Sequence, residues 1–411
     1  MRRVAAILVA LLHVAPSASG QAVTQRGFVE AGALLFPQDA PRDATNVVVD
    51  LLLREELFIR PAPWLQLSAG ADLRANTHDQ VDRAWRIDLG DRRLRRPAIA
   101  TRRLAATFTR GPVTLDVGKQ FIRWGKADIV TPTDHFAPRD FINVINSEFL
   151  PVTGARGVVQ LGSETIDVAW LPRFTPSRMP LIDQRWTVLP DEVSGYALFV
   201  ADPLLPGRDQ LGVRWGHTGS GYELSVSAFD GLNHLPMVRA VPTPGVVPGL
   251  MVARSYPRLR SVGADAAVPT RWFTLKGEMA VFHAPDRDAD DYVLYVIQVE
   301  RQTGEWLLLG GYAGEVVTER RVPGAFAPNR GLTRSLVARA SYTIDSTRSA
   351  AVETAVRQDG AGVYVKGEFS QSRGQHWRLT LSGTVIAGDE ADFLGQYRRN
   401  SNAAVAMRYS F

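Results

Sequence analysis

The 411-residue chain contains no cysteine, which removes disulfides, thiol catalysis, thiolate metal sites and an acylated lipoprotein anchor together. Long apolar runs are also missing. The longest, Val4 to Val14, is about half of the ~20 residues that a membrane-spanning helix needs. No histidine pair stands at metal-ligand spacing, no glycine-rich loop opens a helix and no calcium loop is present, so no cofactor is expected. Charge of one sign is scarce as well. The 47 Lys and Arg against 42 Asp and Glu give +5, or +3 once Arg2 and Arg3 are set aside, too little to expect nucleic acid as a partner. There is no repeat of fixed length, which argues against a solenoid.

What the chain does have is alternation. Arg2 and Arg3, the apolar run and the small residues Ala15 to Gly20 read as a signal peptide over residues 1–20, cleaved before Gln21. Beyond it, runs of period two bounded by turn residues recur from 25–36 to 401–411, eighteen in all. Segments 154–171 and 185–218 carry the weakest pattern, which leaves sixteen strands as the alternative count. The connections alternate between short ones, such as Arg60–Pro63, Arg110–Pro112 and Gly219–Gly221, and mostly long ones, such as 75–98, 123–153 and 231–257. A meandering antiparallel transmembrane barrel over residues 21–411, with short periplasmic turns and long outer loops, produces that alternation. It also explains a charged fraction of 22%, because lipid-facing and lumen-facing residues cancel within each strand.

Five of the eight strands that follow short turns open with an aromatic: Trp64, Tyr222, Trp272, Trp306 and Trp377. Rings with one apolar and one wet end favour a membrane interface. If the apolar phase faces lipid, the lumen wall carries Arg54, Lys276, Arg339, Arg357, Lys366, Arg378 and Arg408, together with Glu56, Glu278, Glu353 and Glu368. Neighbours such as Arg54 and Glu56, or Lys366 and Glu368, are expected to neutralise each other, while the arginine surplus as a whole gives the lumen a field that selects solutes. Glu55 breaks the lipid phase of its strand.

The richest connection is 123–153. Its apolar Phe136, Phe141, Ile142, Val144 and Ile145 predict a loop packed inside the barrel, and Arg123, Lys126, Asp128, Asp134, His135, Arg139 and Asp140 are the candidates for a pore constriction. A second basic stretch, Asp91 to Arg96 with Arg102 and Arg103, reads either as a solvated loop or as a contact for lipopolysaccharide phosphates or an anion funnel. Asp134-His135 lacks a nucleophile motif to serve, so no enzyme is expected.

The closing residues Ser401 to Phe411 alternate through Ala403, Val405, Met407, Tyr409 and Phe411. They resemble the C-terminal signature of Gram-negative outer-membrane β-barrels, in which Tyr409 and Phe411 would be read by the barrel insertion machinery. The order of the loops resembles general porins, whose loop after the fifth strand folds inward. The wording Gly118-Lys119-Gln120, Trp124-Gly125, Pro138-Arg139-Asp140 resembles a group of proteobacterial barrels related to alginate-export porins. The resemblance implies an outer-membrane channel for small polar solutes, anions included, surrounded by lipid and lipopolysaccharide. A homo-oligomer stays open by the same resemblance. The alternatives are an accessory barrel of an envelope export or lipid-trafficking system and, third, an outer-membrane hydrolase.

Overall fold

The computed structural model describes residues 22–189, 193, 195–243, 249–321 and 327–411; the expected signal peptide lies outside the described residues. Eighteen strands form one closed antiparallel barrel. They are β1 (Ala22–Leu35), β2 (Val47–Ala62), β3 (Leu65–Asn76), β4 (Ile99–Arg110), β5 (Val113–Gln120) and β6 (Val152–Leu161). Then come β7 (Glu164–Leu171), β8 (Gln210–Gly219), β9 (Tyr222–Leu232), β10 (Arg258–Pro269), β11 (Thr274–His283) and β12 (Asp291–Thr303). The last six are β13 (Trp306–Glu319), β14 (Ser335–Thr343), β15 (Arg348–Arg357), β16 (Gly362–Arg373), β17 (Trp377–Gly388) and β18 (Asn402–Ser410). Each strand pairs with the next, and β1 pairs with β18 from Phe28↔Ser410 to Leu35↔Ala403, which closes the sheet and leaves no edge.

Burial is inverted relative to a water-soluble protein. Val262, Ile297 and Leu336 are 58, 56 and 60% exposed on the outer face, while Ser225, Asp265, Glu278 and Gln298 are buried on the inner one. The barrel exterior is therefore the lipid surface and its interior the polar one. The five aromatics expected at strand starts are all exposed. They sit at the short-turn rim, where Trp377 and Tyr409 (ring centroids 4.9 Å apart) and Trp306 and Tyr342 (4.7 Å) extend the girdle. Phe411 exchanges two backbone hydrogen bonds with Gly27 (3.0 Å each) at the same rim. Glycines at positive φ, among them Gly111, Gly162 and Gly304, make the tight turns at this end.

Three features differ from the sequence reading. β5 ends at Gln120 rather than at 122, just after Gly118 adopts a φ of 126°. The alternation of residues 332–344 predicts a strand from 332, but β14 starts at Ser335, because Thr333 bonds back to the Arg330 carbonyl in a short turn. A separate three-stranded sheet, β19 (Ala197–Val200), β20 (Met237–Thr243) and β21 (Gly249–Ser255), stands on connections expected to be plain loops.

Candidate functional site

Residues 121–151 leave β5 and run through the barrel interior. Asp134 folds the first turn by accepting from the backbone N–H groups of Trp124 (2.7 Å) and Gly125 (2.8 Å) and from Arg123 (3.0 Å). Only glycine fits at 125, since a Cβ there would lie 2.7 Å from Thr131. Trp124 Nε1 donates to Asp167 of β7 (2.9 Å). Farther on, Glu278 of β11 accepts from the N–H groups of Lys126 (3.0 Å), Ala127 (3.1 Å) and Thr133 (2.7 Å) and from the Thr133 hydroxyl (2.8 Å). Gln298 of β12 accepts from the N–H of Asp128 (2.9 Å). Ile129 and Ile145 pack against a cluster containing Val144, Val337, Tyr364 and Ile386, so the segment also reaches the wall of β14–β17.

The seven candidate residues divide by environment. His135 stacks on Phe229 (5.2 Å) and meets Phe282 edge-on (5.8 Å). Burial pushes its imidazole down to about 4. Asp140 is buried; burial alone would raise its carboxyl, but Arg96 (2.9 Å) and Arg178 (3.0 Å) hold it well below the usual carboxylate range. Arg178 continues to Asp91 (2.7 Å) and Asp91 to Lys119 (2.5 Å), a buried chain that ties three connections together. Asp134, His135 and Asp140 thus hold the loop. Lys126 pairs with Glu223 (2.8 Å), and Asp128, 54% exposed at its side chain, accepts from Lys276 (3.0 Å) and Gln298 (2.6 Å). Arg123 (42%) and Arg139 also retain exposure.

Arg123 and Arg139 have an arrangement that the sequence did not disclose. Their guanidiniums lie 3.9 and 4.1 Å from the centre of the Phe149 ring. On β4, Arg102 and Arg103 approach Phe121 in the same way, at 4.7 and 5.8 Å. A bulge opposite Gly70 and Ala71 lets these two consecutive arginines share one side of the sheet. Among the described residues Arg139 has no carboxylate within 4 Å, and burial pushes it down to about 10; the carboxylate of Asp72 lies 4.0 Å from Arg102. Arg54 and Arg74 complete the group with Asp72 and Glu148. Six guanidiniums face three carboxylates once Asp134 is included. The strand phase of Arg74 and Asp72 was readable; the anchoring of Phe121 and Phe149 was not.

The lumen wall corrects one pairing. Arg54 bonds Asp72 (2.7 and 2.8 Å) and Glu56 bonds Arg26 (2.7 Å), not each other. Both partners stand directly opposite in register, and opposite neighbours lie closer than residues two apart along one strand. Lys366 does meet Glu368 (3.3 Å). Lys276 also pairs with Glu300 (2.9 Å), Arg339 with Glu353 (3.5 Å), Arg357 with Asp392 (2.7 Å) and Arg408 with Glu30 (2.6 Å). Arg378 is exposed and has no ion pair among the described residues. Most of the second basic stretch is consumed internally: Arg93 by Asp82 and Asp88, Arg95 by Asp79, Arg96 by Asp140.

Beside the loop lies a cavity of about 210 Å³, lined by Phe141, Tyr292, Tyr364 and Phe393, with Arg139 and the carboxylates of Asp134 and Glu353 among its polar members. No family model matches the chain, and no curated protein matches it in sequence. Solved structures do resemble it. A BenF-like porin from Pseudomonas fluorescens Pf-5 aligns over 96% of this chain and 98% of its own (TM-score 0.55, 9% identity). The outer membrane protein opdK from Pseudomonas aeruginosa aligns over 95% and 99% (0.54, 10%), and OccAB4 from Acinetobacter baumannii over 96% and 99% (0.53, 10%). The likeness is one of fold: this chain has the architecture of an outer-membrane porin.

Proposed function

We propose that the protein is an outer-membrane channel through which small anionic solutes diffuse, with residues 123–153 as the constriction and Arg123, Lys126, Asp128 and Arg139 at its accessible edge. The observation that carries this reading is the arginine group of β2–β4 and the loop. Phe121 and Phe149 hold four of its guanidiniums, of which Arg123 also pairs with Asp134 while Arg103 and Arg139 have no carboxylate within 4 Å among the described residues, so the group keeps a surplus of fixed positive charge on the lumen wall. A fixed charge beside a narrow, low-dielectric passage concentrates the opposite ion. The aromatic lining of the 210 Å³ cavity favours a solute with an apolar body, and because its carboxylates Asp134 and Glu353 are paired with Arg123 and Arg339, Arg139 is left to meet an anionic end such as an aromatic carboxylate. One fold neighbour, OpdK, was solved with vanillate, a compound of that class.

The test is reversal potential in planar bilayers. The wild type should prefer chloride over potassium, Arg123→Gln with Arg139→Gln should reduce that preference, and deletion of 126–145 should raise conductance. A barrel that stays silent with and without the deletion would refute the channel and favour an accessory envelope component.

A further inference from the structure

A second surface, on the outer-loop side, has unpaired cations beside exposed apolar side chains. Ile87 and Asp88 form a short parallel pairing with Ile99 and Ala100 at the top of β4. Ile99 lies opposite Leu73, whose phase is that of the lipid-facing Leu67, so Ile87 continues the barrel's outer face upward. Trp85, Ile87 and Leu89 are 65, 67 and 57% exposed there. Asp88 points the other way and is buried, accepting from Arg93 and from the N–H groups of Gly90 and Asp91.

Arg92 and Arg173 flank Gly90. A Cβ on that glycine would lie 3.4 Å from Nη2 of Arg173, 3.7 Å from Oδ1 of Asp88, which is engaged by the Gly90 and Asp91 N–H groups, and 3.8 Å from Cδ of Arg92. Arg92 donates only to the Phe174 carbonyl (2.8 Å), and no carboxylate lies within 4 Å of the Arg92 or Arg173 guanidinium among the described residues. Two guanidiniums kept close without a counterion favour a phosphate, which both can grip by paired N–H bonds. Apolar side chains in the same place call for a ligand with acyl chains as well.

We propose that Arg92 and Arg173 bind a phosphate of outer-leaflet lipopolysaccharide while Trp85, Ile87 and Leu89 lie against its acyl chains. The inference rests on the barrel spanning the outer membrane and not on what the channel passes. It narrows the earlier expectation for the basic stretch, whose Arg93, Arg95 and Arg96 are already paired.

The experiment compares wild type, Arg92→Gln/Arg173→Gln and Trp85→Ser/Ile87→Ser/Leu89→Ser, each checked for heat-modifiable migration as a sign of an intact barrel. Retained phosphorylated glycolipid is counted by native mass spectrometry, and stripped protein is titrated with lipopolysaccharide and with its deacylated phosphorylated saccharide. Wild type should retain the glycolipid, both variants should bind it about tenfold or more weakly, and the saccharide should bind less well than the intact molecule. Equal binding by the arginine variant, or equal binding of the saccharide and the intact lipid, would overturn the proposal. Conductance of the same variants in lipopolysaccharide-free bilayers should match the wild type, so a failure here stays separate from a failure of the channel reading.

Discussion

Replacing Glu278 by glutamine should loosen the internal loop while leaving the barrel closed. Both oxygens of Glu278 act as acceptors, one for Thr133 N–H and Oγ, the other for the N–H groups of Lys126 and Ala127. A glutamine oxygen can keep the Thr133 pair, but its amide nitrogen then faces two donors and both of those bonds are lost. Bonds to a charged group contribute about 1.5–3 kcal/mol each, so the change costs about 3–6 kcal/mol of loop attachment. At about 1.4 kcal/mol per factor of ten, the detached population rises by on the order of 10²–10⁴. Because the chain has no cysteine, a single Val130→Cys reports detachment cleanly: Val130 is buried, and its rate of thiol labelling tracks the population that exposes it. In the Glu278→Gln background that rate should rise by a similar factor, and Thr133→Ala, which removes one of the four bonds, should raise it far less. An unchanged labelling rate would show that Asp167, Gln298 and the apolar contacts hold the loop by themselves, and would refute the role given to Glu278.

Three further outcomes are expected. His135, held at about 4 against an ordinary 6.5, keeps its full contribution above pH 6.5 and loses it as pH falls toward 4, by about 3 kcal/mol; single-channel flicker should grow over that window and His135→Phe should flatten it, whereas identical pH profiles would contradict the assignment. Gly118→Ala places a Cβ 2.2 Å from the Leu104 carbonyl oxygen at a φ of 126° and should lower the temperature at which the barrel unfolds on heating in detergent, while Gly157→Ala, with open space around its Cβ, should not. Phe411→Ala should slow insertion of the barrel measured in pulse-labelled membranes, with conductance of the assembled molecule unchanged; normal insertion kinetics would remove the role expected of the C-terminal aromatic.

The wall was legible in the sequence and the interior much less so. Lipid and lumen impose opposite chemistry on successive residues, so the phase of Lys276, Arg339 and Lys366 followed from their apolar neighbours, and the turns followed from glycine and length. Partners across strands depend on register, which alternation alone does not set; hence Arg54 joins Asp72 in place of Glu56. The contacts that fix the loop join residues as far apart as Asp128 and Gln298, and no local pattern announces them. Phe121 and Phe149 read as ordinary apolar residues because their role depends on where four arginines arrive. The outer sheet was missed because its strands are short and one contains Pro242, a residue that argues against a central strand.

The anchoring of the loop also sets an order in time. Residues 121–151 are made in the first half of the chain, yet Glu278, Gln298, Val337, Tyr364 and Ile386, against which they settle, belong to strands made later. While the barrel is still an open sheet, those receptors are absent or far away, and the loop has no seat. Closure by β18 and seating of the loop are therefore nearly one event. If residues 123–153 are the proposed constriction, the passage is narrowed only when the barrel is finished.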